Sequence, residues 1–164
     1  MPFSKNFQKG FTFIELTVVL TILLVLITLV TVFVDPISQI KKSRDEKRLT
    51  DMTTLERAIS EFVLDNKRYP DCEDTLRVST SLPSGSPDLT NSNLGWIYDD
   101  LSLYLDKQPI DPLNDSDFFY SYMQSSTSYE LNARLEFFTD EMVKDGGDRD
   151  DLYETGNNLN LIPY

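Results

Sequence analysis

The sequence has no histidine in its 164 residues. That removes the commonest general base and the commonest transition-metal ligand together. It has one cysteine, Cys72, so no disulfide can close within the chain. Without an imidazole to activate it, Cys72 reads as a partly buried small side chain and not as a nucleophile. Positive charge is scarce: 15 Lys and Arg stand against 27 Asp and Glu, for a net charge of −12. Phosphate recognition needs clustered cations, so nucleic acid is excluded as the main partner, and an anionic membrane surface equally. No carboxylate pair stands at a spacing that marks acid–base chemistry, and no nucleophile motif occurs, so no catalytic residue is assigned and no enzymatic activity is expected. Hydrophobic content of 40% and charged content of 26% are ordinary for a folded protein. The length fits one domain, or a small domain plus an anchor.

What is present is unevenly distributed. Residues 1–10, MPFSKNFQKG, are short and polar, with Lys5 and Lys9. From Phe11 to Val34 the only charge is Glu15, and Leu16 to Val34 holds no charge, glycine or proline. Its polar groups are threonine hydroxyls, which bond back to helical carbonyls. An apolar run of about 18 residues or more reads as a membrane-spanning helix. At about 1.5 Å per residue this one covers about 29 Å, close to the hydrocarbon thickness of a bilayer. It is too long for the apolar part of a secretory signal, and no small-residue cleavage site follows it. The small residue, Gly10, precedes it, so a cut there leaves the apolar segment on the mature chain.

Asp35-Pro36 ends the run, since proline donates no backbone hydrogen bond. Helical periodicity then resumes. Leu49, Met52, Leu55, Ile59, Phe62 and Val63 form one stripe, with Arg48, Asp51, Glu56, Arg57 and Glu61 mostly away from it. This predicts an amphipathic helix over 43–66, stopped by Tyr69-Pro70. Residues 71–95 read as a surface loop. Leu101, Tyr104 and Leu105 suggest a short helix, and Pro109 and Asp111-Pro112 mark turns. A β-hairpin is predicted over 118–138. In its second strand Tyr129, Leu131, Ala133, Leu135 and Phe137 alternate with Glu130, Asn132, Arg134 and Glu136, giving one packed and one wet face. The acidic tail, 140–164, offers a short third strand around Leu159 and Leu161. The expected fold is α+β: a long N-terminal helix, membrane half then amphipathic half, packed on a small antiparallel C-terminal sheet. The segments are 1–10, 11–36 and 37–164.

Lys9-Gly10-Phe11-Thr12-Phe13-Ile14-Glu15-Leu16 resembles the processing site of type IV pilins and type II secretion pseudopilins. A short basic leader ends in glycine, an aromatic residue follows, glutamate stands fifth after the glycine, and an apolar run begins. The later features, Tyr69-Pro70, Asp111-Pro112 and the C-terminal sheet, look more like the major-pseudopilin side of the family. The resemblance implies that Gly10 precedes the bond cut by a prepilin peptidase. It implies that Phe11 becomes an N-methylated N-terminus and that Glu15 is the carboxylate used in assembly. It further implies a pilin-like fold and a structural subunit of a helical homopolymer. The partners implied are other pilin-like subunits, the prepilin peptidase and an inner-membrane assembly machinery. The place implied is a prokaryotic inner membrane, crossed once with the soluble domain outside the cytoplasm, and then a periplasmic or extracellular fibre. Pilus, secretion pseudopilus and DNA-uptake fibre share this N-terminal logic.

The chain departs from the family in two ways. No glycine or proline loosens the middle of the membrane helix, the first breaker being Pro36. Cys72 alone cannot make the disulfide with which many type IV pilins staple their C-terminal region. Major pseudopilins often use calcium there, which turns attention to Asp145, Asp148, Asp150 and Asp151. A glycine-bearing loop with several carboxylates suits the oxygen preference of calcium, although the spacing is not that of an EF-hand and a solvated acidic turn is the simpler reading.

Glu15 also has a meaning that owes nothing to resemblance. A charge near the membrane centre costs roughly 2.5–3.5 kcal/mol on insertion scales, and such residues are usually paired or functional. Glu15 lies four residues from Phe11 and shares its helix face. The carboxylate of one chain could pair with the new amine of a neighbour and set the axial register of a bundle. The alternative is a monomeric single-pass anchored protein whose acidic extracytoplasmic domain binds a partner, with Glu15 at the membrane interface. Charge near the anchor opposes the expected orientation, because Lys41, Lys42, Arg44, Lys47 and Arg48 outnumber Lys5 and Lys9. Long domains translocate regardless of such charge.

Overall fold

Asp35 and Pro36 divide the helical part of the chain. The computed structural model describes residues 10–33 and 35–163; the leader lysines Lys5 and Lys9 lie outside the described residues. Helix α1 spans Phe13–Phe33 and helix α2 spans Pro36–Asn66. Pro36 stands at the first helical position, where a missing N–H costs nothing. Asp35 caps it: Oδ1 accepts the N–H groups of Ile37 and Ser38 at 3.1 and 3.3 Å, and Oδ2 accepts the Ser38 hydroxyl at 2.6 Å. This cap explains why α2 begins at Pro36 and not at Ser43, as the periodicity predicts. Two compact units divide between Gln39 and Ile40.

In the first unit α1 is apolar on every side. The hydroxyls of Thr17, Thr21 and Thr28 return to carbonyls of the preceding turn at 2.8–2.9 Å. The stretch Phe13–Val30 is long and apolar enough to cross a membrane, and none of it is buried.

In the second unit four antiparallel strands form one sheet in the order β1-β2-β3-β4: Arg77–Val78, Tyr120–Gln124, Tyr129–Ala133 and Tyr153–Gly156. The hairpin β2–β3 pairs Tyr120 with Ala133 and Gln124 with Tyr129. Met52, Leu55, Ala58, Ile59 and Phe62 of α2 pack into one core with Tyr120, Tyr122, Tyr129, Leu131 and Ala133 of the sheet, and with Trp96, Ile97, Leu101 and Leu105. Each fully buried large apolar side chain contributes about 1.5–3 kcal/mol.

The irregular stretch between α2 and β2 is ordered by side chains that bond backbone. Gln108 closes a two-bond clasp on Ile97, N–H to Oε1 and Nε2 to O, both 2.8 Å. Asp71 receives Arg77 through two bonds of 2.7 Å and the Tyr98 N–H at 2.8 Å.

Several expectations need correction. The loop 71–95 contains β1, and Cys72 within it is exposed and not partly buried. The residues around Leu101 make a single hydrogen-bonded turn and not a helix. The hairpin strands stop at Tyr120 and Ala133, short of 118 and 138. Helix α3, Thr139–Lys144, was not anticipated. The final strand is Tyr153–Gly156, ahead of Leu159. The face of β3 expected to be wet is covered: Glu130 and Asn132 are buried, while Phe137 is 45% exposed. The cause is the C-terminal tail, whose Leu161 and Ile162 N–H groups donate to Glu130 Oε2 at 2.6 and 2.9 Å.

Candidate assembly and processing site

The residues that carry the processing motif come together at the start of α1. Gly10 and Phe11 precede the helix in a non-helical stretch, and Phe11 is 89% exposed. Thr12 and Glu15 form a reciprocal cap. The Thr12 N–H and hydroxyl both donate to Glu15 Oε2 at 2.8 Å, and the Glu15 N–H donates to Thr12 Oγ1 at 3.2 Å. A threonine at the cap with glutamate three residues on satisfies two helix-end donors at once. The carboxylate of Glu15 is thereby held at the helix start. Thr12 is the site residue that the sequence reading left out. The Thr-x-x-Glu spacing ahead of an apolar run is the signal that finds it.

A second cluster ties α2 to the soluble fold. Asp45 and Arg48 are fully buried, against the expectation that Arg48 lies away from the core stripe. Arg48 donates to Asp111 through Nε and Nη2 at 2.6 and 3.0 Å, and through Nη1 to Asp45 and Glu136 at 2.7 and 2.9 Å. Asp45 accepts the N–H groups of Glu136, Phe137 and Phe138 at 2.6–3.0 Å. Arg44 grips Glu136 from the other side at 2.5 and 2.6 Å. The Arg44 hydrogen bond, with Arg48 adding to it against the cost of burial, holds the Glu136 carboxyl down at about 2. The residues 45, 48, 52, 55, 59 and 62 continue one helical stripe through two charges, which is the pattern that could have placed them inside.

The four aspartates of the tail do not converge. Asp145 Oδ1 accepts the Gly147 N–H at 2.9 Å and its Oδ2 the Glu154 N–H at 2.8 Å. Asp151 is bonded to Arg134 at 2.9 Å and to Arg149 at 2.9 and 3.1 Å. Asp148 and Asp150 are exposed and make no hydrogen bond or ion pair among the described residues. Nor do three or more acidic, cysteine or histidine side chains gather at any point among the described residues in a way that could hold a metal. Close by, Glu154 is buried with Oε2 accepting the Arg149 N–H at 3.0 Å and Oε1 without a partner. Burial, with the adjoining Glu130 carboxylate adding to it against the Arg149 N–H, pushes the Glu154 carboxyl up to about 7.

Comparison with known proteins matches both regions. The family model described as type II secretion system (T2SS), protein G, covers residues 36–135, and the one described as the prokaryotic N-terminal methylation motif covers residues 5–31. Type II secretion system core protein G of Pseudomonas aeruginosa is 32% identical over 139 residues, 79% of this chain and 87% of that protein. The protein of the same name from Klebsiella pneumoniae is 35% identical over 105 residues, 64% of this chain and 69% of that one. That of Vibrio cholerae is 30% identical over 118 residues, 71% and 70% of the two chains. No solved structure gives a significant match.

Proposed function

Because this chain belongs to the type II secretion system protein G family, we propose that it is the major pseudopilin of such a system, cut after Gly10 and polymerised through α1. It is a structural protein and not an enzyme. The observation that carries the reading is α1 itself, an apolar helix unburied over Phe13–Val30 whose one carboxylate, Glu15, is held in its first turn. Such a surface needs lipid or other helices around it.

A prepilin peptidase cuts between Gly10 and Phe11, in the non-helical stretch ahead of the Thr12 cap, and Phe11 becomes the methylated N-terminus. Before assembly α1 crosses the inner membrane once, with the domain from Ile40 onward outside the cytoplasm. During assembly the apolar faces of α1 exchange lipid for the α1 helices of other subunits, and tight packing between helices holds the fibre. Glu15 of an incoming chain meets the amine of Phe11 on its neighbour. A buried pair of this kind mostly offsets its own desolvation, so its role is register and not bulk affinity.

The test is co-expression with a prepilin peptidase and the inner-membrane machinery of a type II secretion system. The wild-type chain should yield fibres that shear from the cells, and Glu15→Ala should stay in the membrane fraction. Equal fibre yield from both would contradict the proposal.

A further inference from the structure

The resemblance that drew attention to the tail aspartates implies a calcium ion, and the described residues do not fit one. Calcium takes about six to eight oxygen ligands. Each oxygen of Asp145 accepts one backbone amide, from Gly147 and Glu154, which turns the carboxylate toward its own loop. Asp151 lies between two guanidinium groups, those of Arg134 and Arg149, whose fixed positive charge repels a divalent ion at that carboxylate. Asp148 and Asp150 are exposed. The buried Oε1 of Glu154 offers one further oxygen, but no third acidic side chain converges on it among the described residues. The stretch matched by the family model also ends at residue 135, ahead of all four aspartates.

We infer that the C-terminal segment of this chain, residues 139–163, is fastened by its own amide donors and guanidinium groups and takes no divalent cation at Asp145, Asp148, Asp150 and Asp151. The Arg134–Asp151–Arg149 contacts are partly exposed and contribute little each. The greater part comes from buried or half-buried acceptors. Asp145 ties the loop to the start of β4, Glu154 holds the Arg149 amide, and Glu130 holds the amides of Leu161 and Ile162. Buried amides are costly to leave unpaired, so these acceptors hold the segment closed. The loop therefore closes on β3 and β4 without an added ion.

The test is thermal unfolding of the full chain in detergent micelles, with calcium chloride and with EGTA. The expected result is one Tm in both. A rise with calcium that EGTA reverses would overturn the inference, a site filled at a hundred times its Kd being worth about 5 °C or more. The double variant Asp148→Asn with Asp150→Asn gives a second readout. Its Tm should equal or exceed the parent's, because two unpartnered charges leave an acidic chain; a lower Tm would also overturn it. These outcomes concern folding alone, so failure here leaves the assembly proposal standing, and failure of fibre formation leaves this inference standing.

Discussion

Arg48 and Asp111 meet through two hydrogen bonds, Nε to Oδ2 at 2.6 Å and Nη2 to Oδ1 at 3.0 Å, with both side chains fully buried. They join α2 to the turn before β2, and through Asp45 and Glu136 the same guanidinium reaches the segment after β3. Removing one member of a buried charge network leaves the others desolvated without compensation. Arg48→Ala should therefore lower stability by about 3–5 kcal/mol. Arg48→Lys should recover only part of it, because an ammonium cannot reproduce the planar fork on Asp111. Urea unfolding of the full chain in detergent measures both. An Arg48→Ala change within 1 kcal/mol of wild type, on the order of a surface substitution, would show that the network contributes specificity alone.

Stability should also depend on pH from two directions. The Glu154 carboxyl is raised from 4.5 to about 7 in the folded protein, so the folded state binds its proton more tightly. That contribution is full below the unfolded value and is lost as pH rises through about 7. The Glu136 carboxyl is lowered from 4.5 to about 2, so its contribution is full above the unfolded value and is lost as pH falls toward 2. Tm should thus peak on the mildly acidic side and decline through neutrality. Glu154→Gln, which keeps the shape and cannot ionise, should flatten the alkaline decline. An unchanged decline in that variant would assign it to other groups.

Gly147 should be intolerant of any side chain. A Cβ there would lie 1.6 Å from Glu154 Oε2 and 2.4 Å from its Cδ, and the buried carboxyl has little room to yield. Gly147→Ala should cost about 1–3 kcal/mol, as overpacking does. The neighbouring Gly146 has open space at the same position but a φ of +90°, so alanine there is opposed by backbone strain alone, about 1–2 kcal/mol. The distinguishing measurement is the double variant with Glu154→Ala, which should relieve the Gly147 penalty and not the Gly146 one.

The Thr12–Glu15 cap should govern the start of α1. Thr12→Val keeps the shape and removes the hydroxyl, with a loss of about 1 kcal/mol at the helix end, while Thr12→Ser should retain the cap. Amide hydrogen exchange of residues 13–16 in micelles should speed up in the valine variant alone. Equal exchange in all three proteins would mean that the cap does not hold the helix start.

Features with a local cause were legible in the sequence. The processing motif, the apolar span and the stripe of α2 from Met52 to Phe62 each rest on neighbours within a few turns. The alternation of the second hairpin strand set its inward face, and Tyr129, Leu131 and Ala133 do pack in the core. What escaped depends on distant partners. Arg48 reads as a solvated charge because Asp111 and Glu136 lie 63 and 88 residues from it along the chain. Glu130 and Asn132 read as wet because nothing in the strand announces the tail that covers them. Strand β4 was displaced from Leu159 to Tyr153–Gly156 because its pairing with β3 decides its place, and its own composition does not. The tail aspartates showed the right chemistry for a cation, but the arginines that engage Asp151 come from both sides of α3.

The most direct test of the assembly reading is the intact mass and N-terminal sequence of the chain isolated from membranes, with and without an active prepilin peptidase. The prediction is a mature chain that begins at Phe11 and carries one added methyl group, formed only when the peptidase is active. A chain that still begins at Met1 beside an active peptidase would contradict it.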